Sequence, residues 1–132
     1  MSIRLRVVTP TRLVVDTEVS EITAPGSAGE MGVLPQHVTF LGQLDVGVLS
    51  YVTAGQKKRL VVYGGYAEVV NDVITVLADD AEFPDEIDAG EAKLELARIG
   101  EELAAEKDST ERVGELLRAQ QRAEVRAATA SA

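Results

Sequence analysis

Residues 73–99 read VITVLADDAEFPDEIDAGEAKLELARI, and within this stretch the chain changes from a strand pattern to a helix pattern. Val73, Ile74, Thr75 and Val76 are β-branched and lead into Leu77 and Ala78, a strand composition. Beyond Pro84-Asp85-Glu86 there is no further Pro and very little β-branching. Asp88 followed by Glu91 is the N-cap and N3 arrangement of a capping box, with Asp in place of Ser or Thr. Ala92, Leu96, Ile99 and Leu103 then recur at intervals that place them on one helical face.

Upstream of this junction the chain reads as strands. Asn71-Asp72 separates Val69-Val70 from Val73-Ile74, and both residues tolerate positive φ, which suits a two-residue hairpin loop. Leu60 to Tyr63 form a short apolar run ending at Gly64-Gly65, and Val48-Leu49 and Tyr51-Val52 precede a turn at Ala54-Gly55-Gln56-Lys57. Ile3, Leu5 and Val7 alternate with Arg4 and Arg6, the period of a half-buried strand. Leu13 and Val15 are expected to continue that period after a break at Pro10-Thr11. Short strands with regular turn signals predict a β-sandwich or barrel over residues 1–84.

Downstream, Asp108-Ser109-Thr110-Glu111 repeats the capping signal and opens a second helix. Its apolar positions are Val113, Leu116 and Leu117, with the small Ala119, Ala123 and Ala127. So short a break predicts an antiparallel two-helix hairpin over residues 85–132. The hairpin offers few large apolar side chains, each giving roughly 1.5–3 kcal/mol when buried. Gly90, Gly100 and Gly114 inside the helical pattern each cost about 1 kcal/mol relative to Ala. A marginally stable element, able to detach and find another surface, is expected.

The 132 residues carry a formal net charge of −9, no cysteine and one histidine, His37. Cysteine-based metal sites and disulfides are excluded, and a zinc centre is not expected from one histidine. Nucleic acid is not expected as a partner, because phosphate binding needs a basic face. No apolar run approaches the ~20 residues of a spanning helix, and the N-terminus has neither a signal-peptide nor a transit-peptide pattern. A soluble cytoplasmic protein is expected, unless a partner holds it at a membrane. The charge is uneven: residues 85–111 carry 10 acidic and 3 basic side chains, and residues 112–132 carry 2 acidic and 4 basic.

Four features are candidates for chemistry or contact. Gly26-Ser27-Ala28-Gly29-Glu30-Met31-Gly32 spaces glycines every third residue, but a phosphate cradle needs a Lys-Ser/Thr and a helix start, and Val33-Leu34-Pro35 follows instead; a structural turn is expected. His37 lies in the same loop region, where a general base would need an adjacent nucleophile and an orienting group. Asp79, Asp80 and Glu82 lack the spacing of a calcium loop and read as a solvated strand end. Arg118, Arg122 and Arg126 fall at i, i+4 and i+8 on one side of the last helix, either as a solvated face paired with Glu115 and Glu124 or as a contact for carboxylates or phosphates. From the residues alone, a small β-sandwich enzyme and a stand-alone interaction or ligand-binding module both stay open. The single His and the lack of a convergent acid–base set weigh against the enzyme.

The segment Ala24 to His37, APGSAGEMGVLPQH, resembles the loop of ATP synthase epsilon subunits. Gly64-Gly65-Tyr66-Ala67-Glu68-Val69 and Val73-Ile74-Thr75-Val76-Leu77-Ala78-Asp79 resemble two further family stretches in the same order, as does the junction from Ala81 to Asp88. The resemblance implies a flattened N-terminal β-sandwich of about ten strands followed by a C-terminal antiparallel two-helix hairpin, without catalytic residues of its own. It implies that the sandwich binds the stalk subunit gamma and rests on the proton-driven ring of c subunits, at the cytoplasmic face of a bacterial plasma membrane. Glu30, Met31, Gln36 and His37 would be the ring-facing contact, with Gln36 replacing the usual Gly. The hairpin would regulate ATP hydrolysis by reaching the catalytic alpha and beta subunits through Arg118, Arg122 and Arg126. Some relatives bind ATP through a stretch matched here by Ile87-Asp88-Ala89-Gly90-Glu91-Ala92, together with arginines matched by Arg122 and Arg126. Glu91 stands where that motif has Arg, and a carboxylate beside phosphates is repulsive. ATP is therefore not expected as a ligand, and no other cofactor is implied.

Overall fold

The computed structural model describes residues 3–27, 29–33 and 40–130. The chain divides into two compact units, Met1–Glu82 and Phe83–Ala132. The first holds eight strands among the described residues: β1 (Ile3–Val8), β2 (Leu13–Val19), β3 (Glu21–Gly26), β4 (Gly29–Val33), β5 (Phe40–Thr53), β6 (Gln56–Val70), β7 (Val73–Ala78) and β8 (Ala81–Glu82). They form one hydrogen-bonded sheet in the order β2-β1-β7-β6-β5-β3-β4, with β8 added alongside β6.

The count of eight, where about ten is expected, reflects the length of β5 and β6. These strands of 14 and 15 residues pair with each other throughout, from Phe40↔Val69 to Thr53↔Gln56. One half of β6 pairs with β7 and the other with β8, while β5 pairs with β3 over the half away from Phe40. Both strands therefore run through both layers of a β-sandwich, and counting each half separately restores ten. The change of layer falls at Gly64 and Gly65, whose φ values of +77° and +122° suit a residue without a Cβ. The layers are tied again where the Ser20 amide donates to the Val52 carbonyl at 2.9 Å and the Thr53 hydroxyl donates to the Glu18 carbonyl at 2.8 Å.

Turn chemistry sets the register. Asn71 and Asp72 have φ of +50° and +59°, and Ala54 and Gly55 have +51° and +76°. Both pairs are the central residues of primed two-residue turns, whose twist matches that of the flanking strands. The second turn is confined to Ala54-Gly55; Gln56 and Lys57 already belong to β6.

Ile3, Leu5 and Val7 are buried while Arg4 and Arg6 are exposed, as the alternation requires. Leu13 departs from it. Val7 pairs with Val15 but Val8 pairs with Leu13, so a β-bulge at Val14 inserts one residue into β2. Val15 stays in the core and Leu13 turns outward, 53% exposed. Among the described residues, twelve large aliphatic side chains are no more than 2% exposed, all of them in this unit, from Ile3 to Val76.

The second unit opens with a 3-10 turn at Pro84–Glu86, where the Glu86 carboxylate accepts from the Phe83 amide at 2.9 Å. Helix α1 (Ala89–Ala105) is capped by Asp88, which accepts from the Glu91 amide at 2.9 Å, and helix α2 (Thr110–Ala130) by Ser109, whose hydroxyl accepts from the Arg112 amide at 3.1 Å. Arg112 reaches Glu102 near the connection and Arg126 reaches Glu95 at the far end, so the helices are antiparallel. Their seam holds Ile99, Leu116 and Ala123, flanked by Leu96, Leu103 and Ala119. Leu117 is not part of it, being 52% exposed. Adjacent helical residues diverge by about 100°, and a stripe this narrow holds only Leu116 of the pair. Two large side chains contribute about 3–6 kcal/mol, far less than the core of the β unit.

Candidate functional site

The glycine-spaced loop forms the tip of the β3–β4 hairpin. Gly26 pairs with Gly29, Pro25 with Glu30 and Ala24 with Met31. The Ser27 amide donates to the Gln43 carbonyl at 3.0 Å, fastening the tip to β5. A strand follows the loop, so no helix N-terminus is available there to hold phosphate. Glu30 is exposed beside the tip and Met31 is the next strand position. Gln36 and His37 lie outside the described residues.

Past the end of β7, the Asp80 and Glu82 carboxylates are used within the unit. The Asp80 carboxylate accepts from the Ala81 amide at 2.8 Å, the Glu82 carboxylate accepts from the Tyr63 hydroxyl at 2.6 Å, and the Asp79 amide donates to Gly64 at 3.2 Å. Among the described residues, no group of three or more His, Cys, Asp or Glu could hold a metal ion. Asp16 accepts from Arg4 at 2.7 Å, and this bond holds its carboxyl below the usual carboxylate range.

In the second unit Arg118 and Arg122 are exposed, while Arg126 is half-buried and lies 3.9 Å from Glu95. Four residues advance a helix by about 400°, so each arginine is turned ~40° from the one before, and by the third the side chain has rotated toward α1. Glu91, Leu94, Glu95, Arg98 and Arg126 line one open groove. Two carboxylates therefore stand beside Arg126, and the Asp88 carboxylate is engaged as the α1 cap.

One feature was not singled out in the sequence. Leu77 and Tyr66 are paired neighbours on β7 and β6 and are 56% and 54% exposed. The available signal was phase: Leu77 alternates with the buried Val76 and Ala78, and so points outward although apolar.

Fold and surface together define a β-sandwich followed by a helical hairpin, whose distinctive surface features are a loop tip, an arginine-bearing helix and an exposed apolar row. Residues 2–84 match the family described as ATP synthase, Delta/Epsilon chain, beta-sandwich domain. The ATP synthase epsilon chain of Solibacter usitatus is 41% identical over 129 residues, covering 98% of this chain and 96% of the relative. That of Geotalea daltonii is 48% identical over 101 residues, covering 76% and 73%. A chain in the structure of the Euglena gracilis mitochondrial ATP synthase (OSCP/F1/c-ring, rotational state 1) superposes with a TM-score of 0.79 at 26% identity, covering 93% of this chain and 79% of that one. A chain of the Tetrahymena thermophila mitochondrial ATP synthase central stalk and c-ring, at 14% identity and a TM-score of 0.61, shares the fold. The chain belongs to the ATP synthase delta/epsilon family, and the relatives that it matches over most of its length are ATP synthase epsilon chains.

Proposed function

We propose that the chain is a non-catalytic rotor link whose β unit couples the membrane ring to the stalk and whose hairpin regulates ATP hydrolysis. In this reading residues 1–84 hold the gamma subunit and stand on the ring of c subunits, with the β3–β4 tip and the segment through His37 toward the ring. Residues 85–132 exchange between a closed hairpin and a form that reaches the catalytic alpha and beta subunits. The chain sits at the cytoplasmic face of the bacterial plasma membrane, held there through the complex, and proton flow drives the ring.

The observation that carries the regulatory part is the asymmetry of the two cores. Among the described residues, twelve large aliphatic side chains are no more than 2% exposed in the β unit, whereas Ile99 and Leu116 are the large buried members of the hairpin seam. An element held this lightly is suited to changing partners without unfolding its neighbour. Arg118 and Arg122 offer charge to acidic segments of the head. The hairpin acts without nucleotide: Glu91 and Glu95 line the groove that Arg126 shares, and carboxylates there repel phosphates.

The test is ATP hydrolysis by the cognate catalytic head lacking this subunit, titrated with the full chain while binding is followed in parallel. Saturable binding with falling hydrolysis is expected. Binding without inhibition refutes the regulatory role and leaves the rotor role standing; absence of binding refutes both.

A further inference from the structure

Lys57, Lys58 and Arg59 are consecutive cations, half of the six basic residues at positions 1–84 of a chain whose net charge is −9. They follow the Ala54-Gly55 turn and Gln56 at the start of β6. Pairing with Val52, Tyr51 and Ser50 holds their backbone in the β5–β6 ladder, and the Ser20 amide, donating to the Val52 carbonyl at 2.9 Å, holds β5 in turn. Lys57 and Lys58 are exposed and Arg59 is half-buried. The other three cations of the unit are engaged: Arg4 lies 2.7 Å and Arg6 3.9 Å from Asp16, and the Arg12 guanidinium donates to the Ala81 carbonyl at 3.1 Å. Among the described residues, Lys57, Lys58 and Arg59 form no ion pair. Glu21 shares the face of Lys57, but Val52 stands between them, and two strand spacings of about 4.8 Å each are too far for an ion pair. Like charges this close repel one another, and a carboxylate brought from outside relieves that repulsion.

We infer that the β5–β6 tip is an electrostatic docking point for an acidic protein segment of the catalytic head, a contact additional to that of the α2 arginines; the assignment rests on the rotor reading above. Two observations select this occupant over a lipid surface. The first is that the basic tip and the tip assigned to the ring belong to opposite ends of β5. The Ser27 amide fastens the β3–β4 tip at Gln43, whereas the basic tip begins past Thr53, ten positions on and up to about 33 Å away. In the rotor reading the membrane lies beyond the ring end, away from the cations. The second is where the chain leaves the β unit. Glu82, the last residue of the unit, pairs with Val61, two positions from Arg59, so the hairpin that this reading sends to the head departs beside the cations. A ladder already fixed up to the turn loses little backbone freedom on docking, and exposed charge of this kind speeds and orients the encounter.

The experiment measures binding of the full chain to the cognate head of alpha, beta and gamma subunits lacking it, across a salt series. The proteins are the parent, a neutral triple variant (Lys57→Gln, Lys58→Gln, Arg59→Gln) and a charge-conserving one (Lys57→Arg, Lys58→Arg, Arg59→Lys). Three exposed ion pairs correspond to a weakening of about 5- to 50-fold in the neutral variant at low salt. The difference should close toward about 1 M salt, where charges are screened within ~3 Å. The charge-conserving variant is expected to bind like the parent, and all three proteins to melt alike. In the parent complex a carbodiimide, which joins an amine to a carboxylate in contact with it, is expected to link Lys57 or Lys58 to the alpha or beta subunits. Absence of either the salt-dependent weakening or the cross-link overturns the inference and leaves the rotor reading intact. So does equal weakening of the charge-conserving variant, a cross-link to gamma or the c subunits alone, sedimentation of the parent with phosphatidylglycerol vesicles that the neutral variant loses, or self-association of the parent that the neutral variant abolishes. Failure of the parent itself to bind the head removes the rotor reading and the inference with it.

Discussion

Replacing Gly65 by Ala is the sharpest test of how the β unit is built. At φ +122° an added Cβ is driven into the Leu77 carbonyl oxygen and lies 2.9 Å from the Ala78 Cα, both backbone atoms of β7 that cannot rotate away. The backbone conformation alone costs a residue with a side chain about 1–3 kcal/mol. Relieving the clash pushes β6 from β7 near the Gly65↔Ala78 pair, with further loss of about 1 kcal/mol for each hydrogen bond opened. A total of about 3–5 kcal/mol is expected, and for a domain of this size each kcal/mol lowers the melting temperature by roughly 4–8 °C. The assay is the thermal unfolding of the β signal by circular dichroism, with two other glycines as internal standards. Gly55→Ala places a Cβ in open space but at φ +76°, so only the conformational cost of about 1 kcal/mol applies. Gly32→Ala meets nothing within 4 Å and has no positive φ, so its effect is expected within about 0.5 kcal/mol. The order Gly65, then Gly55, then Gly32 is the prediction. A Gly65→Ala protein melting within ~3 °C of the parent, where the lower bound above is roughly 12 °C, refutes the reasoning.

Deleting residues 85–132 is expected to leave a β unit with a cooperative melt that still binds the stalk, because the chain separates into its two units at Glu82 and Phe83; an aggregated or non-cooperative product refutes it. Replacing Arg118, Arg122 and Arg126 together by Ala is expected to relieve inhibition of hydrolysis while sparing assembly, and unchanged inhibition would make them a solvated face. Calorimetry of the isolated chain with sub-millimolar ATP is expected to give no binding heat, and Glu91→Arg is the variant that tests the cause. Asp16 is the group to follow in acid. Its folded-state pKa is lowered by Arg4, so its contribution is present above the unfolded pKa and is lost as pH falls through the folded one. The gap between parent and Asp16→Asn melts should therefore close below the usual carboxylate range, and should shrink in salt at neutral pH; a gap unchanged by both refutes the pairing.

Local rules account for much of what could be read without coordinates. Positive-φ residues at Asn71-Asp72 and Gly55, the alternation of Ile3, Leu5 and Val7, and the caps at Asp88 and Ser109 are short-range features, and they placed the strands, the hairpin turns and the starts of both helices. The change of period across residues 73–99 separated a β region from a helical one for the same reason: solvent and core face opposite sides of a segment, and its own repeat records which. Leu13, Leu117 and Arg126 show where that stops. Each was assigned from its spacing, and each was moved by something distant: a bulge in the pairing of β2 with β1, a seam with room for one leucine of two, and the rotation of a helix toward Glu95. The passage of β5 and β6 through both layers, and the alignment of Leu13, Val8, Leu77 and Tyr66 across strands up to 69 positions apart, depend on strand order and register. Those are chosen by which pairings close the core together, a property of all the strands at once that no single segment carries.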